Sequence, residues 1–120
     1  MTSFDTKTRS ALHDADEIAI RTEKHPANAV PIWVVVADDV VFVRSVRGTK
    51  GRWYRDVAAS GAATLEFAGR RLAVRAVPAR DPAAIERASQ EYLRKYASSP
   101  YAQAIVQPEP LETTLRLEPR

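Results

Sequence analysis

The residues best suited to chemistry lie in one short stretch, FVRSVRGTKGRWYRDV, at residues 42–57. Its five cationic side chains are Arg44, Arg47, Lys50, Arg52 and Arg55. A strand that ends near Ser45 and Arg47 and enters a glycine-bearing turn with Lys50 offers cations and free backbone N–H groups. Such an arrangement suits a phosphate monoester. Composition alone leaves a solvated basic loop equally open as an alternative.

Two neighbouring aromatic residues, Trp53 and Tyr54, follow this turn at the start of a predicted helix. Aromatic side chains in that position usually anchor the helix to the core, and we expect this of Tyr54. Trp53 lies next to Arg52 and the turn, so it is placed to border a planar ligand. The sequence leaves both interpretations of Trp53 open, a core anchor and a ligand wall.

The distribution of charge favours a local partner for this stretch. The 120 residues are 45% hydrophobic and 28% charged, which is typical of a globular protein, and we assign residues 1–120 to a single domain. The net charge is +3, yet without the five cations of residues 44–55 the remaining thirteen lysines and arginines are outnumbered by fifteen acids. The basic excess is therefore local, which favours an anionic ligand. Because the patch is compact and lacks a second stacking platform, we expect no nucleic-acid partner.

Residue types exclude or disfavour several classes of protein. The chain has no cysteine, so disulfides, thiolate chemistry and cysteine-ligated zinc are excluded. The start, MTSFDTKTRS, has no apolar core and does not resemble a secretory signal. The longest apolar run, Val30–Ala37, has eight residues, too few to span a bilayer. We therefore expect a cytoplasmic protein with no membrane partner.

Residues that could act as catalysts on their own are scarce. His13 and His25 fall in a weak helix and a loop without metal-site spacing, so we interpret both as surface residues and predict no metal. Asp38-Asp39 is typical of a turn rather than an acid–base pair. P-loop and nucleophile-elbow patterns are missing, and GTKG follows a β-branched strand rather than a helix, which disfavours the clamp of KH domains. If the protein is an enzyme, a cofactor must carry the chemistry.

The elements that must position the basic stretch alternate between strands and short helices. The predicted elements are a helix at 5–15, a strand at 17–24, a strand at 32–36 returning as 40–46, a helix at 52–60, a hairpin at 62–78, a helix from Asp81 and a strand at 113–119. The proline-containing segments HPANAVP and SSPYAQAIVQPEP are predicted to be irregular. This order predicts an α+β fold whose mostly antiparallel sheet forms a small barrel or a curved sheet.

The segment IWVVV, residues 32–36, is apolar on both faces. This pattern predicts a central strand that is buried on both sides, with Trp33 in the core. A barrel of this size has little chain to cover the outer side of such a strand, so we also predict a homodimer.

The strand that returns after Asp38-Asp39 alternates its side chains. Val41, Val43 and Ser45 share one face, and Phe42 and Arg44 share the other. The end of this strand therefore delivers the start of the basic stretch into its turn.

Several short blocks occur in the same order as in a bacterial family called domain of unknown function 2255, which the chain resembles. The blocks are DEIAIRT, PIWVVVADDVVFVRS, G-x-x-x-RWYRD and TTLRLEPR, within about Asp14 to Arg120. More distantly, the pattern resembles the split β-barrel superfamily of pyridoxamine-phosphate oxidases, flavin reductases and deazaflavin-dependent nitroreductases. In those nitroreductases a strand ending in a serine and a basic-glycine turn precede W-Y-x-N-L. Ser45 to Gly48 and Trp53 to Val57 occupy those places here.

The resemblance implies a homodimeric split β-barrel of about six strands with short helices at its ends. It also implies an oxidoreductase that reduces a small organic substrate, with FMN or a deazaflavin coenzyme as cofactor. The residues that this resemblance and the local chemistry assign to cofactor binding are Ser45, Arg47, Lys50, Arg52, Trp53 and Lys24. The alternative is a cofactor-free barrel of the same fold that binds or transforms an anionic small molecule.

Overall fold

A computed structural model describes residues 3–120, and within them seven strands form one antiparallel sheet. The strands are β1 Ile18–Arg21, β2 Val30–Ile32, β3 Val35–Ala37, β4 Val40–Val43, β5 Ala62–Phe67, β6 Arg70–Pro78 and β7 Leu115–Pro119. Their order across the sheet is β2-β1-β5-β6-β7-β4-β3. The predicted α+β class and mostly antiparallel, barrel-like sheet are confirmed. There is one strand more than expected, because the chain around Trp33 contributes to two strands rather than one.

Four α-helices and two 3-10 turns lie within residues 3–120. They are α1 Thr6–Asp14, α2 Arg52–Ser60, α3 Pro82–Lys95 and α4 Pro108–Leu111, with 3-10 turns at Gly48–Lys50 and Ala102–Val106. As predicted, α3 begins after Asp81, whose carboxylate accepts the Ala83 N–H, and α2 ends at Gly61 with φ +73°. The segment predicted to be irregular after α3 contains α4 and a 3-10 turn. None of the helices described has the length and apolar character to cross a bilayer.

The apolar segment IWVVV is not the central strand that its composition predicts. β2 ends at Ile32 and β3 begins at Val35, and these strands form opposite edges of the sheet. Between them, Val34 makes its backbone hydrogen bonds to the end of α3. Its N–H donates to Tyr96 Oη (3.2 Å), and its carbonyl accepts from Lys95 Nζ (2.8 Å). Because these side chains replace a neighbouring strand, the ladder stops there.

This break also forces the sheet to curl. Only Trp33 and Val34 separate the two edge strands, so Ile32 and Val35 lie at most about 11 Å apart, three Cα–Cα steps. Two edges of a seven-stranded sheet can come this close only when the sheet curls into a half-barrel. The loop predicted for HPANAVP ends earlier than expected, because Pro31 belongs to β2. An edge strand tolerates a residue that has no N–H to donate.

Apolar layers cover both faces of the curled sheet. Val41 and Val43 belong to the inner layer and Phe42 to the outer one, which confirms the predicted alternation of β4. The buried residues of the outer layer are Val35, Ala37, Phe42, Ala88, Tyr92, Tyr96, Ala102 and Ile105. α3 therefore covers the apolar segment after β2 within a single chain. The homodimer predicted from that segment would need another surface, and it stays a prediction.

The predicted hairpin turns are confirmed. Asp38 and Asp39 have φ of 51° and 63°, and Ala68 and Gly69 have φ of 49° and 72°. Two consecutive residues with positive φ give the turn whose twist matches that of the flanking strands. The second of these turns sets the register of β5 on β6, in which Glu66 lies opposite Arg71.

The largest fully buried side chain of the described residues is Arg44, with 2% of its surface exposed. Its guanidinium donates to Thr114 Oγ1, to Ser89 Oγ and to the Ile85 carbonyl, each at 2.8 Å. It also lies 5.2 Å from the centroid of the Tyr92 ring. All of its hydrogen-bond partners in residues 3–120 are neutral, and burial lowers the pKa of Arg44. Arg44 thus belongs to the outer layer and not to the surface cluster of cations in which its sequence position placed it.

We expect Arg44→Lys to lower the free energy of unfolding by about 2–4 kcal/mol. An ammonium group stays charged but cannot reproduce the planar fork that reaches three acceptors at once. Urea denaturation measures the loss. The control is Arg47→Lys, an exposed arginine three residues further on, for which we expect less than about 0.5 kcal/mol. Similar values for the two variants would contradict the role assigned to Arg44.

Candidate functional site

The basic stretch forms a tight turn between β4 and α2. The Gly48 N–H donates to the Ser45 carbonyl (2.9 Å) and the Gly51 N–H donates to the Gly48 carbonyl (3.2 Å), so the 3-10 turn leads directly into α2. Gly48 has φ +65°, a conformation that favours glycine. At Gly51 the requirement is close contact, since a Cβ there would lie 2.4 Å from Ser45 Oγ. The two glycines therefore bring the start of α2 against the end of β4.

The exposed cations of this turn have no acidic partners in the described part of the chain. These cations are Arg47, Lys50, Arg52 and Arg55. The arginines that do form ion pairs within residues 3–120 are Arg9, Arg21, Arg71, Arg87, Arg94, Arg116 and Arg120. No acid of residues 3–120 lies within ion-pair distance of the four cations, so the turn carries four positive charges without an ion pair.

A cleft of about 640 Å³ opens beside the turn. The large apolar side chains in its walls are Val30, Ile32, Trp33, Val46, Trp53, Tyr101 and Ile105. Val46 and Tyr101 are 56% and 71% exposed, and they are the exposed large apolar residues of the described chain. Of the residues lining the cleft in residues 3–120, only Glu17 carries a carboxylate. The cleft is therefore an apolar groove with the basic turn in its wall.

The cleft brings together four of the six predicted site residues, namely Ser45, Arg47, Arg52 and Trp53. Lys24 borders a different cavity, of about 670 Å³, to which Arg52 also contributes. Lys50 lies in the 3-10 turn and is not among the residues lining either space. Five of the six predicted residues are thus divided between two concave surfaces that share the Arg52 side chain.

Both tryptophans combine a structural contact with a place in the wall of the cleft. Trp53 is 9% exposed and packs in the inner layer, so it anchors α2 to the core and also lines the cleft. Trp33, predicted to lie in the core, is only half-buried. Its ring stacks on Tyr96 with centroids 4.0 Å apart and planes 5° from parallel. Each ring is thus held in place by its contacts within the protein.

The N-terminus of α2 also faces the cleft, through Gly51 and the two residues that follow it. α1 and α3 have side-chain caps, Asp5 and Asp81, but the glycine at the start of α2 provides none. The first N–H groups of α2 therefore retain their hydrogen-bonding capacity and the positive end of the helix dipole. Ser45, which is 1% exposed and lines the same cleft, has a hydroxyl that hydrogen-bonds to no residue of 3–120. These donors lie beside Arg52.

Sequence reasoning missed a polar network on the inner side of α2. Asp56 Oδ2 accepts a hydrogen bond from Thr22 Oγ1 (2.9 Å) and lies 2.6 Å from His25 Nδ1. The hydrogen bond with His25, then that from Thr22 and the charges of His25 and Lys24, hold the pKa of Asp56 below its usual value against the effect of burial. His25 is thus half-buried against an acid, and its interpretation as a surface residue was wrong. His13 is exposed as predicted.

The spacing of α2 contained a signal for this network. Its buried residues Trp53, Asp56 and Val57 follow the i, i+3, i+4 pattern of one helix face. A carboxylate on that face must find hydrogen-bond donors, because burying an unpaired charge is costly. The partners Thr22 and His25 are about thirty residues away, so the sequence could indicate the need but not the donors. Neither this network nor any other described group of His, Asp and Glu contains three potential metal ligands.

Residues 9–117 match the model of a family described as "Uncharacterized protein conserved in bacteria (DUF2255)". The chain belongs to this family, which confirms the resemblance drawn from the sequence blocks. No curated protein sequence matches the chain.

Two solved structures of other proteins are similar in fold. The crystal structure of Campylobacter jejuni ChuZ matches with a TM-score of 0.67 and 8% identity, over 95% of this chain and 52% of that one. The present chain therefore spans about half the length of that ChuZ chain. The conserved hypothetical protein Rv2991 from Mycobacterium tuberculosis matches with a TM-score of 0.62 and 8% identity, over 98% of this chain and 80% of that one. At this level of identity the likeness concerns the fold alone.

We expect Gly51→Ala to destabilise the protein by about 1–3 kcal/mol, because the new Cβ would meet Ser45 Oγ. Ser45→Ala removes that oxygen and leaves the Cβ of residue 45 at 3.5 Å, an ordinary contact. In the Ser45→Ala background, Gly51→Ala should therefore cost less than about 0.5 kcal/mol. Urea denaturation of the two single variants and the double variant measures the coupling. Additive losses would show that the turn does not pack as described.

Proposed function

We propose that this member of the DUF2255 family uses its cleft to bind a planar aromatic ligand with an anionic group. The candidate ligand is FMN or a deazaflavin, as cofactor of an oxidoreductase that acts on a small organic substrate. One observation carries the proposal: arginines without ion pairs in the described chain line an apolar cleft that has tryptophan in its walls. The apolar walls suit a ring system, and the arginines suit a phosphate.

The size and walls of the cleft fit a ring of this kind. Its volume of about 640 Å³ lies within the range of about 300–1,000 Å³ that is typical of small-molecule sites. Trp33 and Trp53 offer aromatic surfaces that the fold already holds in place. Val46 and Tyr101, both highly exposed, lie on the same cleft, and a bound ring would remove their apolar surface from water.

The basic turn supplies donors for a phosphate. Arg47 and Arg52 line the cleft, and the Ser45 hydroxyl and the uncapped N–H groups of α2 lie beside them. A helix N-terminus with nearby cations is a favourable environment for a phosphate group. Each charge-assisted hydrogen bond typically contributes about 1.5–3 kcal/mol. Two or three such bonds would be enough for specific binding of a monophosphate.

The cleft has little acid–base chemistry of its own, which agrees with a cofactor-dependent reaction. Glu17 is the one carboxylate lining it among the described residues. A bound flavin or deazaflavin supplies hydride transfer. The protein must then bind the ligand, orient its ring between the cleft walls and limit the access of water. Trp33 and Trp53 are suited to orientation, and Arg47 and Arg52 to binding.

Titration of FMN and of a deazaflavin into the purified protein tests this proposal. We expect binding at micromolar concentrations, seen as a change in ring absorbance and as quenching of tryptophan fluorescence. Arg47→Gln should weaken binding by about 10- to 150-fold, since it removes one charge-assisted contact. Arg80→Gln is the matched control. It removes the same charge from an exposed site outside the cleft and should change affinity by less than about twofold.

The variant Lys50→Gln distinguishes long-range electrostatic attraction of the ligand from direct contact with it. Lys50 lies in the same turn as Arg47 but does not line the cleft, so its loss should weaken binding by no more than about threefold. If the wild type binds neither cofactor at hundreds of micromolar, the oxidoreductase proposal fails. The cofactor-free alternative, a barrel that binds an anionic small molecule, then takes its place. Binding that Arg47→Gln leaves unchanged would instead remove the turn from the site.

The predicted homodimer has a candidate surface at the rim of the cleft. Val46 and Tyr101 are exposed there, and a second copy could cover them. We expect sedimentation equilibrium to give twice the mass of the chain at tens of micromolar. The double variant Val46→Ser, Tyr101→Ser should then shift the equilibrium toward monomer. A monomeric wild type at these concentrations would refute the dimer.

A further inference from the structure

The second cavity has an excess of positive charge that the described chain does not neutralise. Its cations Lys24, Arg52 and Arg55 form no ion pair within residues 3–120. Of its two carboxylates, Glu23 pairs with Arg120 (3.2 Å) and Asp56 is bound to His25 and Thr22. Both acids are therefore occupied, and three cations face one space of about 670 Å³. A space of this kind attracts anions.

His25 connects this cavity to the buried acid behind it. Its Nδ1 lies 2.6 Å from Asp56 Oδ2, and its backbone N–H donates to Thr22 Oγ1 (3.3 Å). The ring borders the cavity with 31% of the side chain exposed, and Nε2 has no partner among residues 3–120. The Asp56 carboxylate fixes the ring and requires the proton on Nδ1. The free nitrogen is therefore Nε2.

We propose that this cavity is a second anion site, distinct from the cleft, which binds a tetrahedral oxyanion such as a phosphate group or sulfate, and that His25 contacts the anion as an imidazolium. The neutral ring would present a lone pair at Nε2, which repels an anion. The protonated ring donates one N–H to Asp56 and has a second N–H for the ligand. Binding of the anion and protonation of His25 therefore favour each other.

Charged groups surround His25. Asp56 faces the ring from α2 and accepts a hydrogen bond from Nδ1, and the neutral Thr22 completes that side. Glu23 and Lys24 from the adjoining loop and the two arginines of α2 share the cavity with the ring. Because only the protonated ring has an N–H at Nε2 for the ligand, the site should bind an anion more strongly at pH 6 than at pH 8.

NMR spectroscopy of the two histidines tests the proposal, with sulfate as the probe because its charge does not change between pH 6 and 8. At pH 6 and constant ionic strength, we expect millimolar sulfate to move the His25 ring resonances toward their low-pH positions. His13 provides the internal control, since it is exposed and borders a different cavity, where its ring lies near Asp14 (3.2 Å) and Arg94 (3.4 Å). His25→Gln and His13→Gln assign the two signals. The apparent affinity should fall at least about fivefold at pH 8.

Charge-removing variants separate this site from the cleft. Arg55→Gln should weaken sulfate binding by about tenfold, since Arg55 borders this cavity and not the cleft. Arg80→Gln, the exposed control, should leave it within about twofold. If Arg47→Gln weakens flavin binding but leaves the His25 response to sulfate intact, sulfate binds at a site separate from the cleft. If flavin binds but sulfate does not change the His25 signals, the anion site is refuted, and the proposal that the cleft binds a flavin is unaffected.

A comparison of two further ligands tests whether the oxyanion is a free ion or part of a phosphorylated molecule. Inorganic phosphate and glycerol phosphate present the same group, free or as a monoester. Tighter binding of the ester would identify a phosphorylated small molecule as the ligand, and equal binding would identify the free ion. Equal movement of the His13 and His25 signals with sulfate, or no movement of either up to about 100 mM, would overturn the proposal.

Discussion

The buried guanidinium of Arg44 is the interaction on which the arrangement of the site most depends. It is a cation in the apolar layer between the sheet and α3, and its neutral partners lie on α3 and on the segment that enters β7. A buried charge of this kind is stable only while all those elements keep their places. The next residue, Ser45, donates its N–H to Thr113 Oγ1 (2.9 Å), so two adjacent threonines hold the end of β4. The basic turn therefore begins at residues that the core holds in place, and the position of the cleft wall depends on those core contacts.

A second constraint acts on charge rather than on position. Six acids of the described chain, at positions 23, 38, 39, 66, 91 and 118, pair with arginines outside the turn, and Asp56 is bound within the protein. The cations that line the cleft and the second cavity thus face solvent without protein partners. Arg52 belongs to both spaces, so a charge bound in one alters the potential in the other. If both sites bind anions, we expect their affinities to oppose each other weakly.

Local patterns in the sequence could predict the hairpins, the capped helices and the basic turn beside the cleft, because the residues involved are close in the chain. The predictions were wrong where contacts between distant parts of the chain determine the structure. The strand expected through Val34 ends because Tyr96, sixty-two residues away, takes its hydrogen bond. The alternation of β4 did place Arg44 opposite the inner face, but charge alone suggested solvent rather than a layer under α3. His25 gave no signal of its own, since its partner Asp56 lies thirty-one residues along the chain. In each case the deciding hydrogen bond joins segments that only the fold brings together.

The central claim is that the cleft binds an aromatic anion with its phosphate at the basic turn. A crystal structure of the protein grown with saturating FMN, or with a deazaflavin, tests it most directly. The account predicts a ring between the walls that contain Trp33 and Trp53, with the phosphate in hydrogen-bond contact with Arg47 or Arg52. An empty cleft at saturating ligand, or a ligand bound elsewhere on the protein, would contradict it.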